Sequence, residues 1–275
     1  NGSIEPEDFE GQVQNLEFGF FLCEQYGRFA DKLNNPDALY DCIDLTKGFR
    51  GDNVFMYNRM NRVTRSVFAF PLLQQYAILH IVIDKVDITG MTSQNPLRPY
   101  QQWVSAKTIG ISGNSFETTS DYGKAKTSAI VKSNRELELT TYDQWPNGMS
   151  PTVDNYVPES GKGDRLAIQP TQLHNYQVFV TVLLTGFDDL PSLQESDVNI
   201  CITPDVIIAE CKNRIAVEPF DPYHTDYLRF KTSHTNQGIY LVGGLSAGEY
   251  AVNGGNPLTV QDKTHALSFK ANSGT

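Results

Sequence analysis

Residues 76–90, YAILHIVIDKVDITG, constrain this chain more than any other stretch of it. The first eight are apolar or aromatic except for His80, and Ile78, Ile81, Val82 and Ile83 are β-branched, which favours a strand. From Asp84 onward polar and apolar residues alternate, with Val86 and Ile88 on one face. The pattern predicts a strand buried on both faces in its first half and on one face in its second. Pro71 before it and Gly90 after it set its limits. A strand of this length and apolarity belongs at the middle of a large sheet, so the chain must supply neighbours on either side of it.

It does so from residue 63 onward. VTRSVFAFP alternates up to Pro71, and 176–185, YQVFVTVLLT, is a second heavily apolar run fit to partner the first. Further strands are predicted at 103–111, 115–119, 127–132, 136–142, 198–203, 206–211, 227–232, 238–242, 249–252 and 266–270. Loops rich in Pro, Gly and Asn join them. A 275-residue chain that is 40% apolar can bury one large core, and all-β domains of this size often stay undivided. The expected fold class is all-β, a β-sandwich of jelly-roll type.

The helical signal lies before residue 50. Phe18, Leu22, Tyr26, Phe29 and Leu33 recur at helical spacing, although Gly19 and Gly27 interrupt them. A second helix is predicted with Asn35 as its cap, Pro36 in its first turn, Leu39, Ile43 and Leu45 on its apolar face and Gly48 at its end. The expected organisation is a helical and extended arm over 1–66 and a β-body over 67–275.

Lys plus Arg number 22 against 32 Asp plus Glu, a formal charge of −10, which excludes a dedicated nucleic-acid binder and leaves room only for a local contact. No apolar run is long enough to form a membrane-spanning helix. Cys23, Cys42, Cys201 and Cys211 show no zinc spacing. If Pro204–Asp205 is a two-residue turn, Cys201 faces Ile208 and Cys211 faces Val198, so the two thiols do not meet. Free, buried thiols are expected.

Nothing in the sequence assigns an enzyme or a cofactor. His80, His174, His224, His234 and His265 have no ligand spacing, with His80 expected inside the buried strand. Glu136 and Glu138 share one strand face and have the residue type of a glycosidase pair, but Leu137 and Leu139 opposite mark theirs as the solvated face. Asp188, Asp189, Glu195 and Asp197 lack the pattern of a calcium loop. Gly161-Lys162-Gly163 lacks the full phosphate-loop motif. Arg50-Gly51-Asp52 matches the integrin-binding tripeptide, which a chain this long contains by chance in roughly 5% of cases.

The most unusual composition is 50–65. Arg50, Arg59, Arg62 and Arg65 stand among Phe55, Met56, Tyr57 and Met60, with one acid and no lysine. Such a segment can hold phosphates and stack on bases, or pair with the acidic surface of a neighbouring subunit. The negative net charge places the neighbour first. Residues 143–165, DQWPNGMSPTVDNYVPESGKGDR, form a long loop of interaction type, with Trp145 and Tyr156 as candidate surface-binding residues.

With the arm 50–65, the strands 76–90 and 176–185 and the loop 143–165, the chain resembles jelly-roll capsid proteins of icosahedral viruses and bacteriophages. The resemblance implies a non-enzymatic virion subunit. It would assemble with copies of itself, and with related subunits, through an N-terminal arm. The competing reading is an extracellular β-sandwich adhesin or carbohydrate-binding module, resting on Trp103, Trp145, Tyr156 and Tyr223 as sugar-stacking aromatics. A β-rich hydrolase using Glu136 and Glu138 stands third.

Overall fold

A computed structural model of the chain describes residues 39–44, 62–72, 75–87, 101–105, 108–120, 124–142, 164–172, 174, 176–221, 227–233, 237–260 and 265–272. These residues contain strands and no α-helix. In chain order the strands are β1 (Leu39–Asp44), β2 (Arg62–Leu72), β3 (Ala77–Asp87), β4 (Gln101–Ser105), β5 (Ile109–Ser112) and β6 (Ser115–Ser120). There follow β7 (Ala125–Ser133), β8 (Leu137–Tyr142), β9 (Asp164–Pro170), β10 (Tyr176–Phe187), β11 (Val198–Ile202) and β12 (Val206–Cys211). The last are β13 (Arg214–Pro219), β14 (Gly238–Val242), β15 (Gly248–Ala251), β16 (Pro257–Val260) and β17 (Leu267–Ala271).

The stretch that dominates the sequence is indeed interior. β3 lies between β2 and β10 in an antiparallel sheet of order β1-β2-β3-β10-β7-β6-β5. Ile81 faces Phe68 on one side and Val182 on the other. Odd-numbered residues of β3 point to one face and even-numbered residues to the other. The expected halves are reversed: in the first half Ile78 is exposed and His80 only half-buried, whereas residues 81–86, Asp84 and Lys85 included, are buried on both faces, where Val82 and Val86 join the core under the β4-β9-β8 sheet.

On one face, Leu79, Ile81 and Ile83 of β3, Phe68 and Phe70 of β2 and Val180 and Val182 of β10 pack against a second sheet, β11-β12-β13-β14-β17. That sheet contributes Ile207 and Ala209 of β12, Ala216 of β13 and Leu241 of β14. Each fully buried Ile, Val or Phe here is worth about 1.5–3 kcal/mol of transfer free energy. On the opposite face, Val82, Phe179, Leu183 and Val131 pack against Leu166 and Ile168 of β9, in a smaller sheet of order β4-β9-β8. The outer face of the second sheet is covered in turn. Ile208, Val217 and Tyr240 meet Val260 of the β15–β16 hairpin and Leu228 and Phe230 of residues 227–233. The result is a stack of antiparallel sheets in which, among the described residues, only β13 and β14 run parallel.

Several expectations need correction. Of the helix predicted from Asn35, the described residues Leu39–Asp44 form a strand, because β1 pairs with β2 from Leu39 opposite Ala69 to Asp44 opposite Thr64. The edge of β2 offers a row of backbone donors and acceptors, and satisfying it outweighs local helix propensity. The residues of the other expected helix, 18–33, lie outside the described residues. β2 runs unbroken across residue 66, the expected end of the arm. The two large sheets come from separate stretches of chain, β1 to β10 and β11 to β17, whereas a jelly roll passes its strands back and forth between its sheets. Residues 227–232 alternate as predicted, with Leu228, Phe230 and Thr232 inward, but they join no ladder among the described residues. They lie on the sheet instead, where Thr232 and Tyr240 share a hydroxyl hydrogen bond of 2.8 Å.

Candidate functional site

The polar chemistry of the described body is concentrated where β2 and β3 pair, and the alternation of a strand divides it between two interfaces. Arg65 and Ser66 are consecutive in β2, and Asp84 and Lys85 are consecutive in β3. Consecutive strand residues point to opposite faces, so Ser66 and Lys85 enter the core shared with the second sheet while Arg65 and Asp84 enter the core beneath β4-β9-β8.

In the first interface Lys85 Nζ donates to Glu218 Oε1 of β13 at 2.6 Å and to the Pro219 carbonyl at 3.4 Å. Ser66 Oγ donates to the same Glu218 oxygen at 2.8 Å. The Glu218 side chain is fully buried and that of Lys85 nearly so. Glu218 Oε2 and Thr64 Oγ1 are buried without a hydrogen-bond partner. Tyr176 and Phe220 close this end of the core with ring centroids 4.7 Å apart.

In the second interface Arg65 grips Asp84 with two bonds, Nε to Oδ1 at 2.6 Å and Nη2 to Oδ2 at 2.7 Å. The two residues are direct cross-strand partners. Gln101 of β4 donates to Asp84 Oδ2 at 2.7 Å and accepts from Thr181 Oγ1 of β10 at 2.7 Å and from Trp103 Nε1 at 3.0 Å. The Arg65 guanidinium lies 5.9 Å from the Trp103 ring centre. Paired, bidentate and shielded, these groups tie sheets together.

The candidate residues are dispersed by this architecture. Arg65, expected to meet a neighbouring subunit, is bonded to Asp84 of its own chain. Arg62 stands in β2 opposite Asp87. Arg50, Arg59, Trp145 and Tyr156 lie outside the described residues, as does the Arg50-Gly51-Asp52 tripeptide. Trp103 is half-buried under Arg65 and not a surface platform. Glu136 and Glu138 are exposed, while Leu137 and Leu139 pack inward, as expected of a solvated strand face. Among the described residues no group of three or more His, Cys, Asp or Glu is placed to hold a metal ion. Burial pushes the His80 imidazole down to about 4.

The expected register of the cysteine hairpin is met residue for residue, with Cys201 opposite Ile208 and Cys211 opposite Val198. Both thiols are free, but only Cys211 is buried and Cys201 is exposed. Burial raises the Cys211 thiol to about 12.

The sequence reading missed both sets, Asp84 with Gln101 on one face and Lys85 with Glu218 on the other. A signal was available. Arg65 alternates in phase with Val67 and Ala69, and Asp84 in phase with Val82 and Val86, so a tight β2–β3 connection brings the two charges face to face. No protein-family model matches the chain, and no curated protein matches it.

Proposed function

We propose that the chain is a structural, non-enzymatic subunit of a self-assembling protein shell of the viral capsid type, located in the virion. The observation that carries this reading is where the body's polar groups lie. Its buried charges Lys85, Glu218 and Asp84 are bonded across strands and sheets inside one chain, Asp84 to the half-buried Arg65. That stiffens a stacked-sheet block and leaves its turns and edges to meet other molecules. A rigid block whose described residues hold 17 paired strands needs little reorganisation on assembly, and so a low ordering cost. Copies of the same chain are the partners, with related subunits as further ones. Arg50 and Arg59 serve as arm contacts to acidic neighbours or to nucleic acid locally. The jelly-roll arrangement is not required by this reading, which needs only packed sheets.

Electron microscopy and sedimentation velocity of the purified full chain test it. Closed particles or regular capsomers are expected. A chain that stays monomeric from micromolar to millimolar concentration, at low and high salt, would remove the shell reading.

A further inference from the structure

One end of the central sheet carries an aromatic cluster that the internal packing does not use. Tyr76, at the start of β3, is 78% exposed, Phe187, at the end of β10, is 51% exposed, and Ile78 is 43% exposed. The Tyr76 and Phe187 rings meet edge to face at 6.3 Å. Ile78 is paired with Thr185 in the same ladder, two residues before Phe187. Three of the large apolar side chains that are exposed among the described residues therefore share one spot.

The cluster is held rigidly. Tyr76 has φ of 47°, a left-handed backbone that a residue with a Cβ adopts rarely. The close passage of β10 holds this turn in place. A Cβ added at Gly186 would stand 3.1 Å from Ala77 Cβ and 3.0 Å from Leu190 Cδ2. The rim carries both signs of charge. Lys124 is exposed, its carbonyl accepts from the Asp188 backbone N–H at 2.6 Å, and Asp188 and Asp189 are exposed beside Phe187. Lys124 directly precedes Ala125, the ladder partner of Phe187.

We infer that this sheet end is a contact surface for a second copy of the same chain. The inference rests on the shell reading above and names the surface that reading lacks. A two-fold contact brings the same patch to itself. Tyr76, Ile78 and Phe187 then form the desolvated centre, and Lys124 of each copy faces Asp188 and Asp189 of the other. The same two carboxylates set the patch against an anionic membrane surface. At aromatic areas of about 150–250 Å² per ring, the cluster offers on the order of 300 Å². A stable pair buries roughly 800 Å² per partner, so the cluster is the anchoring centre of a larger contact whose effect is multiplied in a shell.

The test uses the full chain, with sedimentation velocity over a dilution series and thermal melting as the folding control. Tyr76→Gly removes the ring and suits the left-handed backbone, so it is expected to melt at or above the parent temperature while self-association weakens about tenfold or more. Phe187→Ser provides a second folded variant with the same expected loss. Lys124→Asp alone and Asp188→Lys/Asp189→Lys alone should each weaken association, and mixing the two should restore it, because each copy then faces the opposite charge. Folded Tyr76→Gly and Phe187→Ser chains that associate like the parent, or charge variants that fail to complement, overturn the inference. Loss of binding to phosphatidylserine vesicles with unchanged self-association also overturns it and makes lipid the occupant. If the variants still form particles, this surface alone is wrong; if the parent forms none, the shell reading falls with it.

Discussion

Replacing Lys85 by Met tests the reasoning about the buried ties most sharply. The Nζ–Oε1 separation of 2.6 Å places two unit charges in contact between two sheets. At an effective dielectric near 20, that contact is worth about 6 kcal/mol of Coulomb attraction. Desolvation costs several kcal/mol per ion, so the intact pair is close to neutral relative to an apolar pair of the same volume. Lys85→Met removes the attraction and leaves the Glu218 carboxylate buried with only the Ser66 hydroxyl, which sets the expected loss at about 3–5 kcal/mol. Glu218→Leu should cost a similar amount, because it strands the ammonium. The double variant should lie within about 1 kcal/mol of the parent or above it, since Oε2 has no partner to lose. Urea unfolding at pH 7, followed by far-UV circular dichroism, gives the four free energies of this cycle. A Lys85→Met loss below about 1 kcal/mol, typical of solvated pairs, would refute the claim that the contact is desolvated. A double variant as unstable as the sum of the singles would refute the coupling between them.

Three further outcomes are expected. His80 titrates at about 4 in the fold against 6.5 unfolded, so the unfolded chain binds its proton first as pH falls. Its contribution is intact above pH 6.5 and is lost by up to about 3 kcal/mol between pH 6.5 and 4, a slope that His80→Leu should flatten in stability-versus-pH measurements. Under native conditions iodoacetamide should label Cys201 quickly and Cys211 only on unfolding, as read by peptide mass spectrometry, because one thiol is exposed and the other is buried and raised to about 12. Lys212 and Asn213, the two turn residues between β12 and β13, both have positive φ, 50° and 58°. Lys212→Asn/Asn213→Gly should therefore raise the melting temperature, by about 0.5–1 kcal/mol of stability.

What the sequence determined by itself is the set of strands whose neighbours are dictated by burial. The apolar runs 76–83 and 176–185 demand an interior place in a sheet; they lie in β3 and β10, paired to each other, although the two-sided burial of β3 falls on 81–86 and not on its apolar start. The 198–211 hairpin was legible down to its register, because Pro204–Asp205 leaves one way to pair its two halves. The alternation of 136–142 assigned Glu136 and Glu138 to solvent for the same local reason. Tertiary structure decided the rest, wherever the deciding partner is far away in sequence. β1 is a strand because β2 has an edge to satisfy, and nothing within residues 35–48 records that edge. β13 follows a turn with no glycine, and its Glu218 looks solvent-bound until Lys85, 133 residues earlier, is placed beside it. Residues 227–232 have strand periodicity because one side lies on a sheet, yet periodicity reports burial of a face and not backbone pairing. Arg65 has the composition of an arm and the position of a core strand. Strand phase sets Asp84 opposite it, but only the fold places Gln101 of β4 over the pair and shields it, and an ion shielded from water must find its counter-charge inside the molecule.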